Sequence, residues 1–310
     1  MERIALVGGG LVGQAWAIVF GRAGHDVMLY DAEPGALKQA HGAIAARLED
    51  LAGFGLVEDA AAAQGRVRFA GTLGEALASA DYVQESTPER VEVKREVFAA
   101  LDRLAAPDAI LASSTSGIPA SAFTEDLEGR GRCLVAHPIN PPFATPLVEL
   151  CPAPWTEPAV VERTHALMSK VGQAPIRLKR EVQGFVANRM QAALIGAALR
   201  LVKDGVAAAE DVDIAIRDGI GLRWSFMGPF ETIDLNAPGG IADYLRRYGP
   251  LYQAIEAEQA APLDWTDAAL LAQLEKERRA QLKAERLPER SAWRDRRLMA
   301  LAAHRRKLIQ

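Results

Sequence analysis

Apolar and polar positions along this chain fall into two regimes. Up to about residue 180, short apolar runs alternate with stretches whose apolar residues recur at helical spacing. The runs predict strands at 3–7, 26–30, 66–70, 81–85, 109–113, 132–136, 147–151 and 175–178. The stretches between them predict helices near 11–24, 34–52, 73–79, 90–105 and 158–171. Runs such as Ala109-Ile110-Leu111 suit strands buried on both faces, so the alternation predicts a mostly parallel sheet covered by helices. The segment 37–65 is longer than one crossover helix needs and reads as a helix extended into a small helical arm. Beyond residue 180 strand patterns stop. Phe185, Met190, Leu194, Ala197 and Leu201 keep helical spacing. Helices are predicted near 184–202, 208–218, 228–236, 239–247, 266–286 and 289–307, with a break at Gly219-Ile220-Gly221. Two domains follow from this: an α/β domain over 1–182 and an all-α domain over 183–310.

The first 31 residues carry the sharpest chemical signal. Ile4-Ala5-Leu6-Val7 leads into Gly8-Gly9-Gly10-Leu11-Val12-Gly13, which fits G-x-G-x-x-G. A helical pattern and a second apolar run follow, and the run ends in Asp31. Strand, glycine turn, helix, strand and acid form a dinucleotide-binding fingerprint. Gly8 permits the tight turn, Gly10 lets backbone approach a pyrophosphate, and Gly13 lets the helix pack close to the sheet. The helix start at Leu11 and Val12 offers free N–H groups to phosphate. Asp31 lies 18 residues after Gly13, where a carboxylate accepts from ribose hydroxyls and repels a 2′-phosphate. Ala32 rather than Arg follows it, so the expected cofactor is NAD rather than NADP.

Composition narrows the setting. The net charge is −4, which gives no general pull toward nucleic acid or an anionic membrane. No uncharged run reaches the length of a membrane span. Two cysteines, Cys133 and Cys151, make no disulfide framework, and no secretory leader pattern opens the sequence. A cytoplasmic enzyme without a metal is expected. The segment from Glu275 to Gln310 carries twelve Lys/Arg against five Asp/Glu. Its charges are interspersed, and Leu282, Leu298, Leu301 and Leu308 form a candidate apolar seam, so a solvated helix pair or a face packed on another subunit fits better than nucleic-acid binding.

Candidate chemistry lies at the predicted strand ends. His137 directly follows the run 132–136, where a histidine reaches the crevice outside the carboxyl ends of the strands. Glu149 lies 12 residues on, within Leu147-Val148-Glu149-Leu150, where an unpaired carboxylate is costly to bury. A His–Glu pair removes that cost: the acid holds one ring nitrogen and fixes the tautomer, and the other nitrogen takes a hydroxyl proton. Spacing alone fits equally a core or capping histidine and a strand-end glutamate in a surface salt bridge. Ser113-Ser114-Thr115-Ser116 reads as a substrate-oxygen site or as an ordinary polar turn, and Asn188 as a cleft contact or a helix-surface amide.

The segments VGGGLVGQAWA, SSTSG, HPINPPFATPLVEL, GFVANRMQ and GLRWSFMGPFETIDLN resemble the 3-hydroxyacyl-CoA dehydrogenase family, over nearly all of the 310 residues. Within it they are most similar to the L-gulonate 3-dehydrogenase or lambda-crystallin branch. The resemblance implies a Rossmann-type N-terminal domain, an all-α C-terminal domain that forms a homodimer, and NAD-linked oxidation of an L-3-hydroxy acid. By position it makes His137 the catalytic base and Glu149 its orienting partner. Ser116 matches the serine that hydrogen-bonds the reacting oxygen, and Asn188 the asparagine near substrate and nicotinamide. Glu89 and Lys94 match a pair beside the cofactor, joining Gly8, Gly10, Leu11, Val12, Gly13 and Asp31.

The arm argues against a CoA thioester. Between Lys38 and Arg66 its one strong cation is Arg47, set against Glu49, Asp50, Glu58 and Asp59, and a net acidic arm repels a polyanionic nucleotide. Arg223 offers a bidentate grip on a free carboxylate, or alternatively a salt bridge to Glu231 or Asp234. A small free acid is therefore expected, with L-gulonate first by branch resemblance. L-Carnitine and 3-hydroxybutyryl-CoA are the alternatives, and a non-enzymatic, crystallin-like NAD-binding role is the alternative of another class. Phe143-Ala144-Thr145 departs from the run typical of mammalian gulonate enzymes, which leaves the pocket wall and substrate size open.

Overall fold

Strands form where the apolar runs lie. The computed structural model describes residues 2–309. Its strands are β1 (Arg3–Val7), β2 (Asp26–Tyr30), β3 (Val67–Phe69), β4 (Tyr82–Glu85), β5 (Ile110–Ser113), β6 (Cys133–Pro138), β7 (Leu147–Pro152) and β8 (Ala174–Arg177). They build one eight-stranded sheet in the order β3-β2-β1-β4-β5-β6-β7-β8. Neighbours run parallel except β6 and β7, which are antiparallel and place His137 directly opposite Glu149. Side chains alternate along β1, so Ile4 and Leu6 join one core and Ala5 and Val7 the other.

Helices cover both faces. The first core takes in residues of α1 (Leu11–Arg22), α2 (Pro34–Gly53) and α3 (Ala60–Gly65). The second takes in α4 (Leu73–Leu77), α5 (Val91–Leu104) and the short α6 (Ser121–Thr124). The first core also receives Val160, Leu167 and Met168 of α7 (Pro158–Lys170). Trp16 of α1 is fully buried, and its indole N–H donates to Ser114 Oγ at 3.1 Å, so a large apolar ring is buried without orphaning its polar end.

The remaining helices are α8 (Ala187–Lys203), α9 (Ala209–Ile214), α10 (Gly221–Trp224), α11 (Pro229–Leu235), α12 (Gly240–Glu258), α13 (Ala268–Gln281) and α14 (Leu287–Ile309). Chain packing divides the molecule into two compact units, one from the start to Asn188 plus the segment from Arg290, the other Arg189–Glu289. In the second unit only Gly196, Val202, Thr232 and Leu270 are buried among the described residues. In the first, Met299 of α14 is fully buried, with Ala302 and Ala303 against the same core. The basic tail expected to be solvated, or covered by a second subunit, therefore lays part of its apolar side on the chain's own first unit.

Two helices differ most from expectation. The helix expected over 239–247 runs on to Glu258, through Gly249 and Pro250. The proline removes one donor, toward the Arg246 carbonyl, and Arg246 is an exposed residue whose carbonyl water can serve. The helix expected over 208–218 divides at Ile214 into α9 and a wider-turned segment, Ala215–Ile220, in which Gly219 leaves helical dihedrals (φ −109°, ψ −110°).

Candidate active site

Strand order reverses beside β1, whose neighbours are β2 and β4, and the crevice outside such a switch point is the ligand position of a doubly wound sheet. Gly8 ends β1 with φ 111°, and a Cβ there would stand 2.6 Å from the Ser86 carbonyl oxygen. A Cβ on Gly13 would run into the Gly8 carbonyl, so α1 approaches the turn this closely only with glycine. A Cβ on Gly10 would meet nothing within 4 Å, which is open room at the N-terminus of α1, where Leu11 is exposed and Val12 packs against the core. A cavity of about 720 Å³ opens here, lined by Gly8, Gly10, Tyr30, Asp31, Leu73 and Val97 among others. Asp31 already holds the turn: its Oδ2 accepts from the Gly9 N–H at 2.6 Å and its Oδ1 from the Glu33 N–H at 2.8 Å. The cradle, the open helix end and the acid at the cavity wall fit a dinucleotide carrying free ribose hydroxyls.

At the antiparallel end of the sheet, His137 Nδ1 lies 2.8 Å from Glu149 Oε2. Both side chains are buried. Glu149 Oε1 accepts from the Val186 N–H at 2.8 Å and the Ala187 N–H at 2.9 Å, at the start of α8. Burial opposes ionisation of Glu149, but hydrogen bonds from the His137 ring and from Ala187 and Val186 outweigh it, so the carboxyl ionises below its ordinary range. An ionised acid accepts at Nδ1–H and thereby leaves His137 Nε2 as the acceptor nitrogen. The Phe185 ring lies 5.5 Å from the imidazole between centroids, and Phe185 has φ 51°, left-handed backbone directly after Gly184 at φ 75°.

The same network gathers the other candidates. Asn188 Nδ2 donates to the Ser116 carbonyl at 2.7 Å. Glu89 Oε1 accepts from the Ser116 N–H at 2.9 Å, the Gly117 N–H at 3.2 Å and the Thr115 hydroxyl at 2.6 Å. His137, Glu149, Asn188, Ser116 and Glu89 are thus joined through hydrogen bonds and two short stretches of backbone. The Ser116 hydroxyl itself is exposed and takes no partner among the described residues. Arg223 belongs to the second unit, is exposed on α10, and forms no ion pair among the described residues, with Glu231 and Asp234 included.

Lys94 has a nearer partner than Glu89. Its Nζ sits 3.0 and 3.1 Å from the two oxygens of Glu85 and 3.7 Å from Glu89. Glu85, at the end of β4 and fully buried, also accepts from Ser113 Oγ and the Thr87 N–H. Sequence reasoning passed over Glu85, although a glutamate closing the strand Tyr82-Val83-Gln84-Glu85 carries the same burial cost that singled out Glu149. It also passed over Gln84, whose Nε2 donates to the Ala136 carbonyl at 3.1 Å, next to His137.

Comparisons with known proteins agree with this architecture. Residues 3–182 match the family model "3-hydroxyacyl-CoA dehydrogenase, NAD binding domain", and residues 184–286 match its C-terminal domain. The chain is 40% identical over 317 residues to a lambda-crystallin homolog of Bos taurus, covering 99% of this chain and 97% of that one. It is 38% identical over 267 residues to an L-carnitine dehydrogenase of a Pseudomonas species, covering 86% of this chain and 80% of the relative. Among solved structures, an NAD⁺-dependent dismutase, 5-formyl-3-hydroxy-2-methylpyridine 4-carboxylic acid 5-dehydrogenase, superposes with a TM-score of 0.84 at 29% identity, covering 99% of this chain and 98% of that one. The chain belongs to the 3-hydroxyacyl-CoA dehydrogenase family and is an NAD-dependent oxidoreductase.

Proposed function

We propose that this enzyme oxidises the 3-hydroxyl of a small free L-3-hydroxy acid, and that L-gulonate is its substrate. The observation that carries the choice of a free acid over a CoA thioester is the state of Arg47. The arm's one strong cation is ion-paired to Asp50 at 3.3 Å and to Asp295 of α14 at 3.2 Å, with its guanidinium 5.4 Å from the Phe143 ring centroid. A cation held by two carboxylates has little attraction left for a polyphosphate, and the rest of the arm is acidic.

The chemistry follows from the residues. When bound, NAD supplies the ring that takes up hydride. His137 Nε2 accepts the proton of the substrate hydroxyl while Glu149 holds the opposite ring nitrogen and stabilises the resulting charge. The Ser116 hydroxyl, without a partner among the described residues, bonds the reacting oxygen. Asn188 sits beside it and holds the Ser116 turn, and Arg223 takes the substrate carboxylate through a bidentate contact. Asp31 and the turn Gly8–Gly13 hold the cofactor's ribose and pyrophosphate, with Glu89 and Lys94 beside it.

We assign 1–182 as the NAD-binding domain and 183–310 as the substrate and homodimer domain, with the segment from Arg290 packed on the first unit. The nearly coreless second unit supports dimerisation, because Leu222, Trp224, Phe226, Phe230 and Leu235 all stand exposed in a single chain. Two free buried thiols, Cys133 and Cys151, fit a reducing cytoplasm.

A steady-state NADH assay with L-gulonate, L-carnitine, L-3-hydroxybutyrate and L-3-hydroxybutyryl-CoA tests the reading. The expected result is a kcat/KM for L-gulonate at least about tenfold above the others, a gap of roughly 1.4 kcal/mol. Preference for the CoA thioester would overturn the free-acid reading, and preference for L-carnitine would overturn the choice of gulonate.

A further inference from the structure

The C-terminal helix α14 lies beyond residues 184–286, where the match to the family's C-terminal domain ends, and it creates a recess of its own. Leu298, Leu301 and Ala302 of α14 face Leu56, which follows α2, and Pro142 and Phe143, which lie between β6 and β7. Together they line a recess of about 290 Å³ within the first unit. Three cations share this lining: Arg22 at the end of α1, and Arg305 and Arg306 on α14. No carboxylate lines it, and none of the three arginines has an ion-pair partner among the described residues.

Their hydrogen bonds leave them underused. Arg22 Nη1 donates to the Phe143 carbonyl at 2.8 Å, and Arg306 Nη1 donates to the Leu56 carbonyl at 3.2 Å. Each guanidinium carries five N–H donors, so most of this set has no protein acceptor among the described residues. Burial, together with the like charge of Arg306, pulls the Arg22 guanidinium down to about 10. A fold that gathers unpaired guanidinium groups around an apolar hollow leaves a place that an anion completes: two like charges are neutralised, and the free N–H groups gain acceptors. The apolar walls add a second requirement, since an inorganic anion would keep Leu298, Leu301 and Phe143 against water, whereas a hydrocarbon body would cover them.

We propose that this recess is a binding site for an organic anion, a carboxylate or phosphate monoester head on a short apolar body, distinct from the hydroxy-acid site at His137. The head group bonds Arg22, Arg305 and Arg306, and the body lies between Phe143 and the Leu298–Leu301 side of α14. The size of the recess sets the scale of the occupant, which is that of a medium-chain acid rather than a nucleotide.

Calorimetric titration of the full-length, NADH-saturated enzyme tests this, with octanoate, octyl phosphate and octanol as probes. The expected result is saturable binding of octanoate, octyl phosphate or both at one site per chain, at least about tenfold tighter than octanol. The double variant Arg305→Met/Arg306→Met is expected to weaken the anions about tenfold and leave octanol unchanged. Leu301→Glu, at a half-exposed position that tolerates a charge, provides an independent variant and is expected to weaken the anions most, by repulsion, and octanol less, by loss of one apolar wall. Arg223→Met, which alters the proposed substrate carboxylate contact, is expected to leave octanoate binding intact. Equal affinity for octanol, or loss of octanoate binding in Arg223→Met with retention in both recess variants, would overturn the proposal. The gulonate assay decides the reading of the hydroxy-acid site separately, so the two fail independently.

Discussion

His137 and Glu149 form one unit because Glu149 has no spare oxygen: Oε2 holds the imidazole and Oε1 caps the first N–H groups of α8. His137→Asn keeps a polar side chain in the pocket but removes the proton acceptor. It is expected to lower kcat by at least about a hundredfold, within the usual worth of a positioned base, while NADH still binds in a fluorescence titration. Glu149→Gln keeps the shape and loses the charge. It strips charge from three hydrogen bonds and is expected to destabilise the fold by about 1–3 kcal/mol near neutral pH. The deficit depends on pH in a defined direction. The carboxyl ionises below its ordinary value of 4.5 in the folded protein, so its stabilisation is complete above that value and is lost as pH falls through the lower folded one. Thermal melts at descending pH should therefore show wild type and Glu149→Gln converging in acid, and a constant gap would exclude the linkage.

At the scale of elements, the turn carrying Ser116 is held from two sides. The β4–α5 segment grips it through Glu89, and the start of α8 grips it through Asn188. Beneath it Lys94 compensates Glu85, and both side chains are almost wholly buried. Lys94→Met leaves that carboxylate without its cation, and breaking such a buried pair costs about 3–5 kcal/mol, a loss that chemical denaturation can measure. Glu85 also explains what sequence reading could and could not find. Strands were legible because a strand covered on both faces is largely apolar, so β1 and β2 fall where the runs predict. His137 was singled out by its place at a strand end and Glu149 by the cost of burying a carboxylate, but spacing left their pairing open, and only the antiparallel register of β6 and β7 sets them in direct opposition. Glu89 and Lys94 were named together by the family resemblance and lie 3.7 Å apart, whereas the shorter contacts of Lys94 come through space from Glu85 at the end of a neighbouring strand, which no spacing along the chain reveals. The reach of α12 past Pro250 was hidden for a related reason: local propensity forbids it, and only the solvated setting of the helix allows it.

At the scale of the molecule, the two units differ in how they are built. The first has cores on both faces of its sheet, and the second has almost no interior of its own in a single chain. On the dimer reading proposed above, such a unit draws its stability from a second copy of the chain, and two chains per particle are expected in sedimentation experiments. The first unit is completed by α14, whose Met299 is fully buried. Met299→Ala is expected to lower stability by about 2–5 kcal/mol, the cost of an aliphatic cavity, although the residue lies far along the chain from most of that core. A melting temperature within error of wild type would mean that α14 contributes little to the unit it covers.

The closure of Arg306 on the Leu56 carbonyl spans 250 residues of sequence. A ribosome adding about 5–20 residues per second needs roughly 12–50 s to make that length, far longer than helices and hairpins take to form. During that interval the newborn sheet and its early helices wait with one side unfinished, and a chaperone has its clearest opportunity to hold them. Moving α14 to the other end of the gene by circular permutation would shorten the wait and should lessen aggregation during expression.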